Sequence, residues 1–248
     1  MTTIETNETC DSILGGRIRV IQPRKGYRFS VDALLLARFV RLRPRERVLE
    51  LGAGTGVVSM LVAALYGVRE AVALERDAAL VAMARRSAEL NGIGSIRAIV
   101  ADLRERRIHG LAASSFDLVI ANPPYRAVAS GRESPIPARR LARSEVEGTL
   151  EDFVAAAARY ARHRGAAAFV FLAERSAELL TAMRARRLEP KRIRFVHARA
   201  DRPASAILVE ARKGGGIGVE VEPPLILYSR EGVYTDEARE MLGVAENR

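Results

Sequence analysis

The chain has 248 residues, 48% of them hydrophobic, so it is suited to folding as one large α/β domain rather than remaining disordered. Its formal net charge of +10 favours a polyanionic partner, although only three of its 40 basic residues are lysines, and such an arginine bias can reflect genome composition. One cysteine and three scattered histidines exclude an internal disulfide and a cysteine-based metal site, and no apolar run is long enough to span a membrane.

The start of the chain is predicted to precede the main domain. Residues 1–12 are polar and unlike a signal peptide, so we expect a weakly docked tail on a cytoplasmic protein. Residues 13–45 are predicted to form a hairpin and a helix. The hairpin is indicated by a Gly-Gly turn within an alternating apolar stretch, and Ser30 is a suitable N-cap for a helix over residues 31–41.

Residues 46–248 are predicted to form the main domain, because short apolar runs alternate there with helical stretches. The predicted strands cover residues 48–51, 71–74, 96–100, 116–120, 166–172, 191–198 and 206–211. The predicted helices cover residues 57–66, 78–90, 149–163 and 174–187. Repeated strand–helix units imply a parallel sheet with helices on both faces, and the last two strands are joined without a helix. The expected fold class is therefore α/β, a doubly wound, Rossmann-like, mixed seven-stranded sheet with an antiparallel final hairpin.

A glycine-rich turn follows the first of these strands, as the run Gly52-Ala53-Gly54-Thr55-Gly56. Glycines allow a tight turn there and let backbone N–H groups approach a ligand closely. The third glycine comes one residue earlier than in the dinucleotide-binding pattern, which argues against a nicotinamide oxidoreductase. Glu50, just before the turn, could receive a cationic ligand.

Acidic residues end the next two strands. Glu75 lies about 20 residues after the glycines, where a carboxylate accepts hydrogen bonds from ribose hydroxyls. Asp102 ends the third strand and could accept a hydrogen bond from an exocyclic amine. Asp77 is the better cap for the following helix, which leaves Glu75 available to a ligand. Together these signals predict a nucleoside site.

The fourth strand leads into the run Asn122-Pro123-Pro124-Tyr125. Two prolines remove two backbone donors and stiffen the chain, so an amide and an aromatic ring are held at the sheet edge where ligands bind in open α/β folds. The following loop, residues 126–148, has no clear periodicity. Its arginines suit contact with RNA phosphates, as does Lys25 nearer the start of the chain. These loop arginines are Arg126, Arg132, Arg139, Arg140 and Arg143.

These motifs resemble the ordered motifs of class I S-adenosylmethionine-dependent methyltransferases. The Asn-Pro-Pro-Tyr form marks members that methylate a planar nitrogen, either a base amine or a glutamine amide. Further stretches are similar to bacterial tRNA1(Val) (adenine-N6)-methyltransferases, and this resemblance extends from about residue 13 onward. The stretches are residues 26–37, 194–197, 208–214, 224–228 and 234–237.

The resemblance implies methyl transfer from S-adenosylmethionine, without a metal, to N6 of adenine-37 beside the anticodon of a tRNA. We also expect no membrane association, because no apolar run is long enough, and the sequence indicates no obligate protein partner. The resemblance also implies that residues 25–32 cover the cofactor pocket. The implied cofactor-binding residues are Glu50, Gly52, Gly54, Gly56, Glu75, Asp102 and Asn122. The implied catalytic residues are Asn122, Pro123, Pro124 and Tyr125.

The Asn-Pro-Pro-Tyr chemistry needs no histidine or cysteine. Asn122 Oδ1 and a carbonyl of residues 123–124 can each accept an amine hydrogen, which orients the nitrogen and stabilises its developing charge. Tyr125 would stack on the target base. The alternatives are a glutamine N5-methyltransferase acting on a release factor, another rRNA or DNA adenine N6-methyltransferase, and a non-enzymatic RNA-binding protein. The short N-terminal region and the basic loop favour an RNA substrate over a release factor.

Overall fold

The computed structural model describes residues 3–26, 28–124 and 148–244. The chain begins with an antiparallel hairpin of β1 (Glu8–Ile13) and β2 (Ile18–Pro23). Its first strand starts earlier than predicted, so residues 8–12 belong to the hairpin and not to a tail. The physical reason is a contact that is distant in sequence, because the buried Glu8 carboxylate receives two N–H groups of Arg86, each at 2.7 Å.

The remaining elements follow in chain order. The helices are α1 (Val31–Phe39), α2 (Val57–Tyr66), α3 (Ala78–Leu90), α4 (Leu150–Tyr160), α5 (Ser176–Ala185) and α6 (Asp236–Leu242). The main strands are β3 (Arg47–Leu51), β4 (Glu70–Glu75), β5 (Ile96–Val100), β6 (Phe116–Ala121), β7 (Ala161–Leu172), β8 (Leu188–His197) and β9 (Ala204–Lys213). Four short strands are β10 (Glu220–Val221), β11 (Leu225–Ile226), β12 (Tyr228–Arg230) and β13 (Val233–Tyr234).

The central sheet has the order β10-β8-β9-β7-β6-β3-β4-β5, and β11 also pairs with β8. Strand β9 is antiparallel to its neighbours β7 and β8, and the other pairs in this sheet are parallel. The predicted mixed α/β sheet with an antiparallel final pair is confirmed. Strands β10 and β11 add to it at the outer edge of β8.

Helices cover both faces of this sheet. Val48 and Leu49 are consecutive in β3 and belong to different apolar cores, because successive strand residues point to opposite faces. Helices α1, α2 and α6 contribute to the core that contains Val48, and α4 and α5 contribute to the core that contains Leu49. None of the described helices combines the length and hydrophobicity needed to cross a bilayer.

Helix boundaries follow the local capping chemistry where a cap is present. Asp77 caps α3 by accepting hydrogen bonds from the backbone of its first turn, as predicted. Thr149 and Asp152 form a capping box at α4. Helix α4 nevertheless ends at Tyr160 and not at residue 163, because Ala161 already pairs with Phe116 of β6 and starts β7.

Candidate active site

Sheet register aligns the ends of three central strands. Leu51 of β3 pairs with Leu74 of β4 on one side and with Ala121 of β6 on the other. Because neighbouring strands lie about 4.8 Å apart, the residues that follow this row are neighbours at one edge of the sheet. These residues are Gly52, Glu75 and Asn122.

The glycine-rich turn requires its glycines for backbone conformation and for space. Gly52, Gly54 and Gly56 have φ angles of 62°, 54° and 72°, in the left-handed region that disfavours other residues. A Cβ at Gly52 would lie 3.0 Å from two ring atoms of Phe153 in α4. The turn therefore brings backbone N–H groups to the sheet edge, and α4 packs directly against it.

Glu75 is fixed beside this turn. Its Oε2 accepts a hydrogen bond from the Gly54 N–H at 2.9 Å, and its Oε1 accepts from the N–H groups of Arg76 and Asp77 at 2.8 and 3.0 Å. A carboxylate offers about four acceptor positions, so these three bonds leave one on Oε2. The carboxylate is half-buried and lies where the sequence predicted a ribose acceptor.

Glu50 lies inside the protein. Its side chain is buried beneath α2, and its Oε2 accepts hydrogen bonds from the Ser59 N–H at 2.8 Å and the Ser59 hydroxyl at 2.5 Å. Burial raises the pKa of the carboxyl to about 7, the Ser59 hydrogen bonds oppose this shift, and the negative charge of Glu75 adds to it. These contacts join β3 to α2. Direct contact of Glu50 with a ligand stays a prediction.

Asp102 lies just beyond β5 and is bound by a neighbour. The hydrogen-bonded guanidinium of Arg104, two residues along the chain, lowers the pKa of the Asp102 carboxyl, and its positive charge adds to the effect. Sequence reasoning placed Asp102 at the correct sheet edge but did not include Arg104 in the site.

Asn122 and Pro124 are half-buried at the end of β6, and Pro123 is buried between them. The proline-stiffened segment that was predicted to follow β6 therefore begins at the site.

Lys25 is exposed just after β2. The remaining predicted site residues lie outside the described part of the chain. They are Tyr125, Arg126, Arg132, Arg139, Arg140 and Arg143.

Helix α1 starts at the same edge of the sheet. The hydroxyl of Tyr66, at the end of α2, lies within hydrogen-bond distance of the carbonyl oxygens of Ala37 and Val40, at 3.1 and 3.2 Å, and its one hydrogen can be shared between them. Helix α2 leaves the glycine-rich turn and ends at the opposite edge, so the end of α1 lies there too. The start of α1 at Val31 therefore lies on the side of Gly52, and the covering of a cofactor by residues 25–32 stays a prediction.

An open cleft lies at the opposite edge of the sheet. It has a volume of about 620 Å³ and lies where β3, β4 and β5 begin. Glu70 lies in its wall and is neutralised by Arg47 and Arg97, with N–O distances of 2.8 and 2.9 Å. The cleft is therefore separate from the edge that carries Gly52 and Asn122. Among the described residues, no group of three or more His, Cys, Asp or Glu side chains is arranged to hold a metal ion.

The sheet order, glycine-rich turn and acidic strand ends define a Rossmann-like nucleoside-binding protein. The methyltransferase small domain family model matches residues 30–185, which is more than half of the chain. The chain belongs to the methyltransferase small domain family and is an S-adenosylmethionine-dependent methyltransferase.

Similar proteins cover most of the chain. The tRNA1(Val) (adenine(37)-N6)-methyltransferase of Aeromonas hydrophila is 26% identical over 223 residues, covering 89% of this chain and 90% of that protein. The same-named protein of Tolumonas auensis is 29% identical over 172 residues, covering 66% of this chain and 67% of that protein. The crystal structure of a predicted O-methyltransferase from Agrobacterium tumefaciens is also similar, with a TM-score of 0.71 and 27% identity, covering 88% of this chain and 100% of that one.

Three residues of the site were not found by sequence reasoning, namely Ser59, Arg104 and Phe153. Ser59 had a readable signal, because it is a lone polar residue within the apolar stretch of α2. Arg104 follows Asp102 at a spacing that allows a local ion pair. Phe153 had no local signal, because its contact with Gly52 joins segments about 100 residues apart.

Proposed function

We propose that this protein transfers a methyl group from S-adenosylmethionine to the exocyclic N6 of adenine-37 in a tRNA of the tRNA1(Val) kind. The observation that carries the proposal is the register that sets Asn122 beside Gly52, because it joins an amide acceptor to a nucleoside-binding turn. The names of the relatives that align with most of the chain support the choice of substrate. A tRNA substrate would place the enzyme in the cytoplasm.

The described residues suit this cofactor by the chemistry of their polar atoms. The remaining acceptor position on Glu75 suits a ribose hydroxyl, and Asp102 suits the amine of an adenine ring. In its ionised form, Glu50 would place a negative charge beneath the turn and favour the cationic part of the ligand, and its pKa of about 7 leaves it only partly ionised at neutral pH. When bound, S-adenosylmethionine supplies an electrophilic methyl group.

The acceptor half of the proposed site is Asn122-Pro123-Pro124-Tyr125. Asn122 Oδ1 and a proline carbonyl would each accept one hydrogen of the adenine amine, which orients the nitrogen and stabilises positive charge as it develops. Tyr125 would stack on the target base after it leaves its loop. Phosphate contacts are assigned to the basic residues of the loop and to Lys25. The loop residues are Arg126, Arg132, Arg139, Arg140 and Arg143.

The direct test is methyl transfer to unmodified tRNA transcripts, followed by mass spectrometry of the nucleosides. We expect N6-methyladenosine, and we expect a transcript with guanine in place of adenine-37 to incorporate no methyl group. A 2′-O-methyl nucleoside would instead indicate an O-methyltransferase, the activity in the name of the Agrobacterium protein. N5-methylglutamine in a release factor, or N6-methyladenosine in rRNA or DNA, would identify the alternative substrates.

A further inference from the structure

Arg104 binds the Asp102 carboxylate with both its backbone and its side chain. Asp102 Oδ1 accepts hydrogen bonds from the Arg104 N–H at 2.9 Å and from Nε at 3.0 Å. Asp102 Oδ2 accepts from Nε at 3.1 Å and from Nη2 at 2.6 Å. Both side chains are partly exposed, at 28% for Asp102 and 41% for Arg104, so the contact lies at the surface of the site.

The contact with Arg104 involves both oxygens of the Asp102 carboxylate. Three N–H groups of Arg104 bind the two oxygens of Asp102, because the single Nε–H is shared between Oδ1 and Oδ2. Glu75 also accepts three N–H groups, but all three belong to the backbone, whereas two of those on Asp102 belong to a side chain that can move. A ligand amine that binds Asp102 therefore competes with the Arg104 guanidinium for the same two oxygens.

A second carboxylate, that of Asp152, also acts on the charge of Arg104. The hydrogen bond and charge of Asp102 raise the pKa of the Arg104 guanidinium, and the negative charge of Asp152 adds to this effect. Asp152 lies in the first turn of α4, directly after the basic loop, and the next residue, Phe153, packs against Gly52. The negative charge of Asp152 therefore attracts the Arg104 guanidinium towards the first turn of α4.

We propose that Arg104 couples the binding of the two substrates. In the free protein its guanidinium binds the Asp102 carboxylate, and the adenine amine of the cofactor displaces it from there. The displaced guanidinium then contacts an RNA phosphate. This inference rests on the proposed function, because it takes Asp102 as the adenine acceptor and RNA as the second substrate. Arg104 is a positioning residue in this scheme. Its exchange between Asp102 and phosphate makes the binding of one substrate favour the other.

The first test measures the affinity for S-adenosylhomocysteine by calorimetry. Arg104→Ala removes the competitor of the adenine amine, so we expect binding about two- to five-fold tighter than in the wild type, the range for a partly exposed ion pair. Arg104→Lys keeps the charge but not the paired donors and should give an intermediate affinity. The matched control is Arg106→Ala, an exposed arginine of the same segment, which should leave the affinity unchanged. Unchanged or weaker binding by Arg104→Ala would overturn the proposal.

The second test measures the affinity for unmodified tRNA with and without saturating S-adenosylhomocysteine. In the wild type, the cofactor product should tighten RNA binding several-fold and steepen its salt dependence by about one unit of slope, because one more cation meets a phosphate. Arg104→Ala should lose both effects, and Arg106→Ala should keep them. Coupling that persists in Arg104→Ala overturns the proposal.

Different results would contradict the proposed function and the coupling role of Arg104. If the wild type binds no S-adenosylhomocysteine or methylates no tRNA, then the proposed function is wrong and the coupling is wrong with it. If the wild type does both, and Asp102→Ala weakens cofactor binding while Arg104→Ala does not strengthen it, then only the coupling role is wrong. Thermal unfolding of each variant checks that the effects arise at the site and not from loss of the fold.

Discussion

The Glu50 carboxylate and Ser59 are joined by two hydrogen bonds to one oxygen, from the Ser59 N–H at 2.8 Å and from its hydroxyl at 2.5 Å. This pair lies beneath the glycine-rich turn and ties β3 to α2. Because Glu50 is buried, its pKa rises to about 7 in the folded protein, from an ordinary value of 4.5. The turn is therefore anchored by a group that titrates near neutrality.

The free energy of unfolding should fall as the pH rises from about 4.5 to about 7. The unfolded chain loses the Glu50 proton near pH 4.5 and the folded chain near pH 7, so the free energy of unfolding declines between them, by up to about 3 kcal/mol. Glu50→Gln removes this titration. Urea denaturation at pH 5 and pH 8 should therefore show Glu50→Gln gaining stability relative to the wild type at the higher pH. Glu89→Gln, at an exposed position of α3, should follow the wild type, and parallel profiles for Glu50→Gln would contradict the assignment.

Gly52→Ala should destabilise the protein for two separable reasons. Gly52 and Gly67 have nearly equal φ angles, 62° and 60°, but a Cβ at Gly67 meets no atom within 4 Å, whereas one at Gly52 meets Phe153 at 3.0 Å. Gly67→Ala should therefore cost about 1 kcal/mol for the backbone alone. Gly52→Ala should cost more, and Phe153→Leu should therefore cost less in the Gly52→Ala background than in the wild type. Equal losses in the two alanine variants, measured by denaturation, would show that the ring contact is unimportant.

Arg192 should matter much more to stability than Arg212, although both bind Glu210. The Arg192 side chain is 8% exposed and donates to Glu210 and Glu222, each at 2.9 Å, whereas Arg212 is 42% exposed. Arg192→Ala would remove the buried cation that pairs with Glu210 and should lower the free energy of unfolding by about 3–5 kcal/mol. Arg212→Ala should cost about 1 kcal/mol or less. Similar values for the two variants in urea denaturation would be evidence against a buried ion cluster.

Asn122→Ala should separate binding from chemistry. The residue follows β6 beside the glycine-rich turn, and its proposed task is to accept a hydrogen from the amine that is methylated. We expect the affinity for S-adenosylhomocysteine to change by no more than about two-fold, while turnover on tRNA falls by about 100-fold or more. Calorimetry and single-turnover methyl transfer measure the two quantities. A matching loss of affinity and turnover would show that Asn122 serves the cofactor instead.

Much of the fold could be predicted because its signals are local. The alternation of apolar runs with helical stretches identified the main strands and the helices between them, and the Thr149–Asp152 capping box marked the start of α4. The glycine-rich turn and the polar ends of the strands identified the edge of the sheet where the candidate site lies. The parallel arrangement then follows, because each strand–helix unit returns the chain to the same edge.

The sequence by itself thus determined the class of fold, the edge that carries the site, and the kinds of side chain found there. Only the tertiary structure decided which partner each polar group takes. Glu8, expected in a tail, is buried against Arg86, and Glu50, whose contact with a ligand stays a prediction, is hydrogen-bonded to Ser59. The physical reason is that burial and strand register depend on segments far apart in the chain, whereas hydrophobic periodicity and capping depend on near neighbours.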